Sequence, residues 1–466
     1  MPSMTIDGVP VSAPATLEVT DPSTGEVCAV APDCTLDLLD RAMASAAAAL
    51  PAWQADDDRR SELMQKVGAA IVAATDELAA LLSQETGKPL PVAAAEPAIC
   101  NMWLQYYAGL AVPRDVLQDD ENAMIELAHR PLGVVAAITP WNFPLGLAMW
   151  KLAPALRAGN TVVLKPSPYT PLATLRLGEI INELLPPGVV NVVTGGDDLG
   201  AAMTAHPIPR KVTFTGSVRG GKQVAIAAAA DLKRVTLELG GNDAAIVLDD
   251  VDVEDVAAKL VGLAFFNTGQ ACALPKRIYI DDSIYDDMVD ACAVVAAASK
   301  VGPPSDDTSQ LGPLSTRPQF ELVSDLVADA LAQGLHAVTG GSPLDGPGFF
   351  FQPTILAEAR DGVRVVDEEQ FGPALPLLRY TDVDDAVSRA NASTFGLCGS
   401  AWSADDDRAA AVAERLECGT TFVNTHAALQ FDVPFGGAKW SGVGVENGVA
   451  GLLSFTEPRV VHRARR

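Results

Sequence analysis

LGVVAAITPWNFPLGLAMWKLAPALRAG, residues 132–159, decides the fold. A short Val- and Ala-rich run ends at a Thr-Pro pair, and a helix-like segment of apolar residues follows. Pro144 stands where the first helical turn accepts proline. The same unit then recurs. TVVLKP (161–166) precedes PLATLRLGEIINELL, VVNVVTG (189–195) precedes DDLGAAMTAHP, and KVTFTG (211–216) precedes VRGGKQVAIAAAA. Buried strands alternating with helices predict a parallel sheet covered on both faces. Ligands in such sheets bind beyond the carboxyl ends of the strands.

Outward from that region the pattern changes twice. Residues 36–111 read as helical, with apolar residues at helical spacing and Gly87 as a C-cap. Beyond residue 240 a second α/β unit is expected from AAIVLDD, a helix near Val253–Phe266, KRIYIDD, a helix near Ser283–Ala298, HAVTG and FFQPTILA. Two segments fit neither unit, Asn122–Arg130 and Leu453–His462. Both read as strands of a small sheet that pairs across subunits.

Composition narrows the function. The chain has 466 residues and a formal charge of -26, so the phosphate contacts of nucleic-acid binding lack the clustered Lys and Arg that they need. Seven cysteines, an odd number without a CxxC, read as free thiols of a reducing compartment. Five scattered histidines assemble no zinc spacing, so no metal is expected. No signal-peptide pattern opens MPSMTIDGVP and no apolar run reaches a membrane span, so the reading is cytoplasmic without membrane attachment.

Five stretches carry residues suited to chemistry. FFNTGQACAL places Cys272 among small neighbours, Ala271 and Ala273, after Gly269; a free cysteine is also among the most buried residue types. VTLELGGND ends a strand at Glu238 before a Gly-Gly turn, which aims a carboxylate at a cleft or leaves it in a solvated loop. ITPWNFPL projects Asn142 at the mouth of the sheet, as an oxyanion donor or as turn chemistry. LKPSPYTP puts Lys165 at a strand end, and FTGSVRGG puts Ser217 at a helix start suited to a pyrophosphate. EEQFGPALP sets a carboxylate and an aromatic beside a Gly-Pro turn. No G-x-G-x-x-G fingerprint accompanies them; the loop after Gly442 has Asn447 where the last glycine belongs.

Together these stretches resemble the aldehyde dehydrogenase superfamily. TPWNFP, LKPSP, FTGS, LELGG, NTGQAC, EEQFGP and PFGGAKWSGVG occur in the family's order, from about residue 15 to the end. The resemblance implies an α/β fold with a Rossmann-like cofactor domain (1–112 and 132–238), a second α/β catalytic domain (239–445) and a small β oligomerisation extension (113–131 and 446–466). It implies an NAD(P)-dependent enzyme of the hydrolytic branch. Cys272 would attack the aldehyde, Asn142 and the Cys272 backbone N–H would hold the oxyanion, a hydride would leave to the nicotinamide, and Glu238 would activate the water that cleaves the thioester.

By the same resemblance Lys165 meets the adenosine ribose, Trp141 and Ser217 the pyrophosphate, and Glu369 the nicotinamide ribose. Phe371 packs beside the ring, and Gly216 admits the cofactor close to the backbone. The aldehyde tunnel is expected from Phe143, Leu147, Trp150, Ala271, Ala273 and the 426–432 loop, with Tyr106 or Tyr107. That lining is largely apolar, which implies an uncharged aliphatic or aromatic aldehyde. Three positions depart from the family's pattern: Pro168 replaces the glutamate that favours NAD over NADP, Asn242 a lysine, and Val445 an arginine. NAD is expected, with NADP possible. A CoA-acylating relative is disfavoured because that branch lacks the base at Glu238, and a non-catalytic use of the fold is disfavoured by the intact set of reactive residues. The resemblance further implies a homodimer or homotetramer.

Overall fold

A computed structural model describes residues 2–465. Its first sheet is built on five parallel strands in the order Val190–Val192, Thr161–Lys165, Val134–Ile138, Lys211–Thr215 and Arg234–Glu238. The chain starts in the middle, runs to one side, then returns and runs to the other. That reversal opens a crevice between the ends of Val134–Ile138 and Lys211–Thr215, where a doubly wound sheet takes its ligand. All five residues of Val134–Ile138 and of Thr161–Lys165 are buried, because helices cover both faces. Antiparallel strands too short to leave a pattern in the sequence extend the sheet: Met4–Ile6 and Val9–Val11 at one edge, Gly442–Val443 at the other.

The predicted helical region consists of four helices, Leu36–Ala55, Asp57–Ala73, Thr75–Thr86 and Leu90–Gly109. Gly87 ends the third in a left-handed conformation (φ +77°), with its N–H donated to the Ser83 carbonyl. Two buried carboxylates connect these helices to the sheet. Glu85 accepts the N–H groups of Leu172 and Ala173, and Glu96 those of Leu145 and Gly146. Each caps the first turn of a helix that follows a sheet strand, where the helix dipole favours negative charge. Lys88 pairs with Glu96, and its ammonium lies 3.9 Å from the centre of the Phe143 ring. The turn bearing Asn142 is thereby held from below.

A second sheet runs His336–Thr339, Thr354–Ala359, Ala374–Tyr380, Pro275–Asp281, Asp243–Val247, Cys398–Trp402 and Thr420–Val423, parallel except for the first pair. Three of these strands escape the sequence reading. Ala374–Tyr380 contains Pro376, which argues against a central strand. Cys398–Trp402 is short and built of small residues, and Thr420–Val423 has one buried residue of four. The segment FFQPTILA forms its strand only from Thr354, past Pro353.

The two leftover segments pair with each other inside the chain. Thr456–Ala464 lies antiparallel to Ala123–Pro131, which also pairs with Arg114–Asp119. Val116, Leu117 and Val460 of this three-stranded sheet are exposed. Among the described residues, no single helix is long and apolar enough to cross a membrane.

Glu96→Ala should leave Lys88 buried without its partner and two helix N–H groups unsatisfied. Breaking a buried ion pair in this way costs about 3–5 kcal/mol. Urea unfolding followed by circular dichroism should show the loss, and a midpoint equal to that of the parent would remove this cap from the fold's support.

Candidate active site

The loop that carries Cys272 joins the helix Val253–Ala264 to the strand Pro275–Asp281. It makes a tight turn through Phe266–Gly269, where Asn267 (φ +51°), Thr268 (φ +59°) and Gly269 (φ +76°) are all left-handed. A Cβ on Gly269 would lie 2.3 Å from the carbonyl oxygen of Gly372, so only glycine fits. Side chains compensate for the strained backbone. The Gln270 amide donates to the Asn267 carbonyl at 3.0 Å and its oxygen accepts the Ser315 N–H at 2.8 Å. The Thr268 hydroxyl donates to the Gly312 carbonyl at 3.1 Å. The Gln270 carbonyl accepts from two amides, Asn142 at 3.0 Å and Asn267 at 3.2 Å. An amide nitrogen carries two hydrogens, so Asn142 keeps one N–H for a further acceptor.

Cys272 is half-buried and lines a cavity of about 230 Å³ with Glu238, Asn142, Trp141, Leu147, Gly216, Ser217, Glu369 and Phe371. Burial pushes its thiol up to about 12; the Lys276 ammonium opposes this, and Glu238, Glu369 and Asp243 add to it. Glu238 ends its strand 4 % exposed, and neither carboxylate oxygen has a hydrogen-bond partner among the described residues. Burial raises its pKa well above the ordinary carboxylate range, Glu446 raises it further, and Lys151 acts against both. Lys151 itself is fully buried, donating to Glu446 and to the Thr215 hydroxyl, both at 2.7 Å.

A second cleft, of about 1010 Å³, shares Pro140, Trp141, Thr215, Gly216 and Ser217 with the first. It lies at the crevice of the first sheet and is lined farther out by Lys165, Ser167, Pro168, Gly196 and Asp197. The residues fit a dinucleotide. Ser217 caps the helix Val218–Ala229 at the cleft, and the helix's first N–H groups lack intrahelical partners. A Cβ on Gly216 would strike the Phe214 ring at 2.6 Å, and one on Gly196 would meet open space. Burial lowers the Lys165 ammonium to about 8, with Asp197 and Asp33 acting against the shift.

Not every residue named from the sequence meets at the inner cavity. Phe143 stacks on Phe266 with ring centroids 6.1 Å apart. Trp150 stacks on Trp103 at 5.6 Å and meets the edge of Phe435. Tyr106 and Trp103 contact Phe431, so these side chains form one aromatic group, and none of them lines the inner cavity. Ala273 is buried in the core beneath the loop and Ala271 is half-buried; neither lines the cavity. Tyr107 is buried with its hydroxyl on the Gly448 carbonyl, and His426 is buried against Ser400. Three residues went unnamed in the sequence reading: Lys151, Glu446 and Lys276. Lys151 had a signal, since it is the one charge in the apolar run LGLAMWKLAPAL.

The chain matches the model of the aldehyde dehydrogenase family over residues 10–461. It is 40% identical to the FUS7 protein of Gibberella fujikuroi over 455 residues, 97% of each chain. The NAD+ complex of aldehyde dehydrogenase from Bacillus cereus superposes with a TM-score of 0.97 at 33% identity, covering 100% of this chain and 97% of that one. The 3,6-anhydro-L-galactose dehydrogenase in complex with NADP superposes with a TM-score of 0.95 at 34% identity, covering 99% of each chain.

Lys151→Met should remove the cation that Glu446 and Glu238 share, leaving Lys211 to face Glu446 alone. A loss of about 3–5 kcal/mol is expected. Thermal unfolding at pH 8 should show it, with the deficit shrinking at pH 5 as protonation relieves the repulsion. An equal deficit at both pH values would contradict the electrostatic origin.

Proposed function

This chain belongs to the aldehyde dehydrogenase family, and on that premise we propose that Cys272, Asn142 and Glu238 oxidise an uncharged aldehyde to its acid through a covalent thioester. The observation that carries the reading is the buried Glu238 carboxylate, without a hydrogen-bond partner among the described residues, in one cavity with Cys272 and Asn142. Cys272 adds to the aldehyde carbon as its thiolate. The free N–H of Asn142 and the backbone N–H of Cys272 hold the oxyanion; one such donor is worth about 3 kcal/mol of barrier. NAD(P)+ supplies the hydride acceptor when bound. Glu238 then takes a proton from water, and the hydroxide releases the acid from sulfur. A base must be ionised to act, so a raised Glu238 pKa makes deacylation rise with pH above the ordinary carboxylate range.

Glu238 favours water over CoA as the acyl acceptor, since a thiol acceptor needs no such base. We assign the main part of the cofactor site to residues 1–112 and 132–238, with Lys165 at the adenosine ribose and Trp141, Gly216 and Ser217 at the pyrophosphate; Glu369 and Phe371, from 239–445, reach the nicotinamide riboside. Residues 239–445 supply the nucleophile. The three-stranded sheet in 113–131 and 446–466, with its exposed Val116, Leu117 and Val460, joins copies of the chain into a dimer or tetramer. An aliphatic or aromatic aldehyde enters past Leu147 and the group formed by Trp103, Tyr106, Trp150 and Phe431, with Phe143, Ala271 and Ala273 shaping the loop beside it. No arginine stands among these residues to hold a carboxylate.

Cys272→Ala should abolish NADH formation while nucleotide still binds. Glu238→Gln should give a burst of NADH followed by a slow phase that no longer depends on pH. Full steady turnover in that variant would remove Glu238 from the role. Pro168→Glu should raise the ratio of kcat/KM for NAD over NADP, and an unchanged ratio would place ribose selection elsewhere.

A further inference from the structure

Lys276 has no part in the reaction as drawn so far, yet it is 4 % exposed and fully engaged. An ammonium has three N–H groups. Those of Lys276 go to the carbonyls of Gly241 at 2.8 Å and Cys272 at 2.7 Å, and to the Glu369 carboxylate at 2.7 Å. The three acceptors belong to three separate stretches: the turn after the Glu238 strand, the nucleophile itself, and EEQFGP. Glu369 also accepts the Gly241 N–H at 3.0 Å. A Cβ on Gly240 would lie 2.0 Å from the other Glu369 oxygen, so that glycine leaves the space the carboxylate fills. Asn242, beside the turn, brings no charge; its amide donates to the Val366 carbonyl.

The charges that act on the Cys272 thiol are the carboxylates Glu238, Glu369 and Asp243 and the cation Lys276, with the Cys398 thiol nearby. We propose that Lys276 is a positioning residue that pins the main chain of Cys272, holds Glu369 against Gly241, and opposes the surrounding carboxylates so that the nucleophile can ionise. This rests on the reading of Cys272 as nucleophile. One ion pair then joins the reacting sulfur to the carboxylate assigned to the nicotinamide ribose. While Glu369 faces Lys276 it cancels much of the ammonium's field on the thiol. Drawing Glu369 to another partner unmasks that field and favours the thiolate.

The test is the rate of Cys272 alkylation by iodoacetamide in the full chain at pH 8 without nucleotide, read on the Cys272 peptide by mass spectrometry. Lys276→Met should slow alkylation about tenfold and Glu369→Gln should speed it about threefold, because thiolate fraction falls tenfold per unit of pKa below the midpoint. Lys276→Arg, which keeps the charge, should stay near the parent. Opposite shifts from the two halves of one ion pair are the signature, since a loosened loop moves both variants the same way. Shifts of equal sign, or none, would overturn the proposal. Should Lys276→Met not fold, an unaccelerated Glu369→Gln overturns it alone. Failure of the nucleophile reading shows separately, as aldehyde oxidation persisting in Cys272→Ala while the alkylation pattern still holds.

Discussion

Two side-chain amides meet on one carbonyl oxygen, that of Gln270, and the site depends on that meeting. Asn142 belongs to the turn after Val134–Ile138, the first parallel strand of one sheet. Asn267 belongs to the strained loop that enters the other. Their shared acceptor fixes Cys272 against the crevice of the first sheet, although the residue is covalently part of the second. Two consecutive left-handed non-glycine residues, Asn267 and Thr268, store strain in that loop, and strain of this kind persists only where surrounding contacts overdetermine it. Gly269 against Gly372, Gln270 against Ser315 and Thr268 against Gly312 supply those contacts.

The electrostatics follow from the same crowding. Bringing Glu238, Glu369 and Asp243 close to one thiol, with Glu446 acting on Glu238 from behind, raises the cost of every further negative charge. Two buried lysines stand against that accumulation, one on each side. Lys151 joins Glu446 beneath Glu238, and Lys276 joins Glu369 beside Cys272. Both are satisfied by three or two short hydrogen bonds, as buried charge requires. Each carboxylate pair is therefore graded rather than uniform. Glu238 has no hydrogen-bonding partner among the described residues, which suits a group that must exchange a proton with water, while one oxygen of Glu369 accepts from both Lys276 and the Gly241 N–H.

The parallel strands around residues 132–216 were legible because fully buried strands read as apolar runs and their connections begin with proline, serine or aspartate. The candidate residues at the strand ends were legible for the same reason, since a strand that stops also fixes what stands at its mouth. What escaped has a physical cause in each case. Ala374–Tyr380 carries Pro376, and pattern reading demotes such a run although the structure accommodates it in the sheet interior. Lys276 reads in sequence as the solvated start of a strand, because its three acceptors lie in segments far apart along the chain. Glu446 sits in a glycine-rich loop with no periodicity, and only the fold brings it under Lys151. The tunnel residues were read as one lining, whereas stacking of Trp150 on Trp103 and of Phe143 on Phe266 divides them into separate groups.

The central claim is that the Cys272 sulfur bonds the aldehyde carbon and that Glu238 governs its release. The direct measurement is acid-quenched peptide mass analysis of Glu238→Gln after mixing with NAD and a simple aldehyde such as hexanal. The account predicts an added acyl mass on the peptide containing Cys272, forming as NADH appears and absent without nucleotide. NADH formation with the Cys272 peptide unmodified, or the acyl mass found on another cysteine, would contradict it.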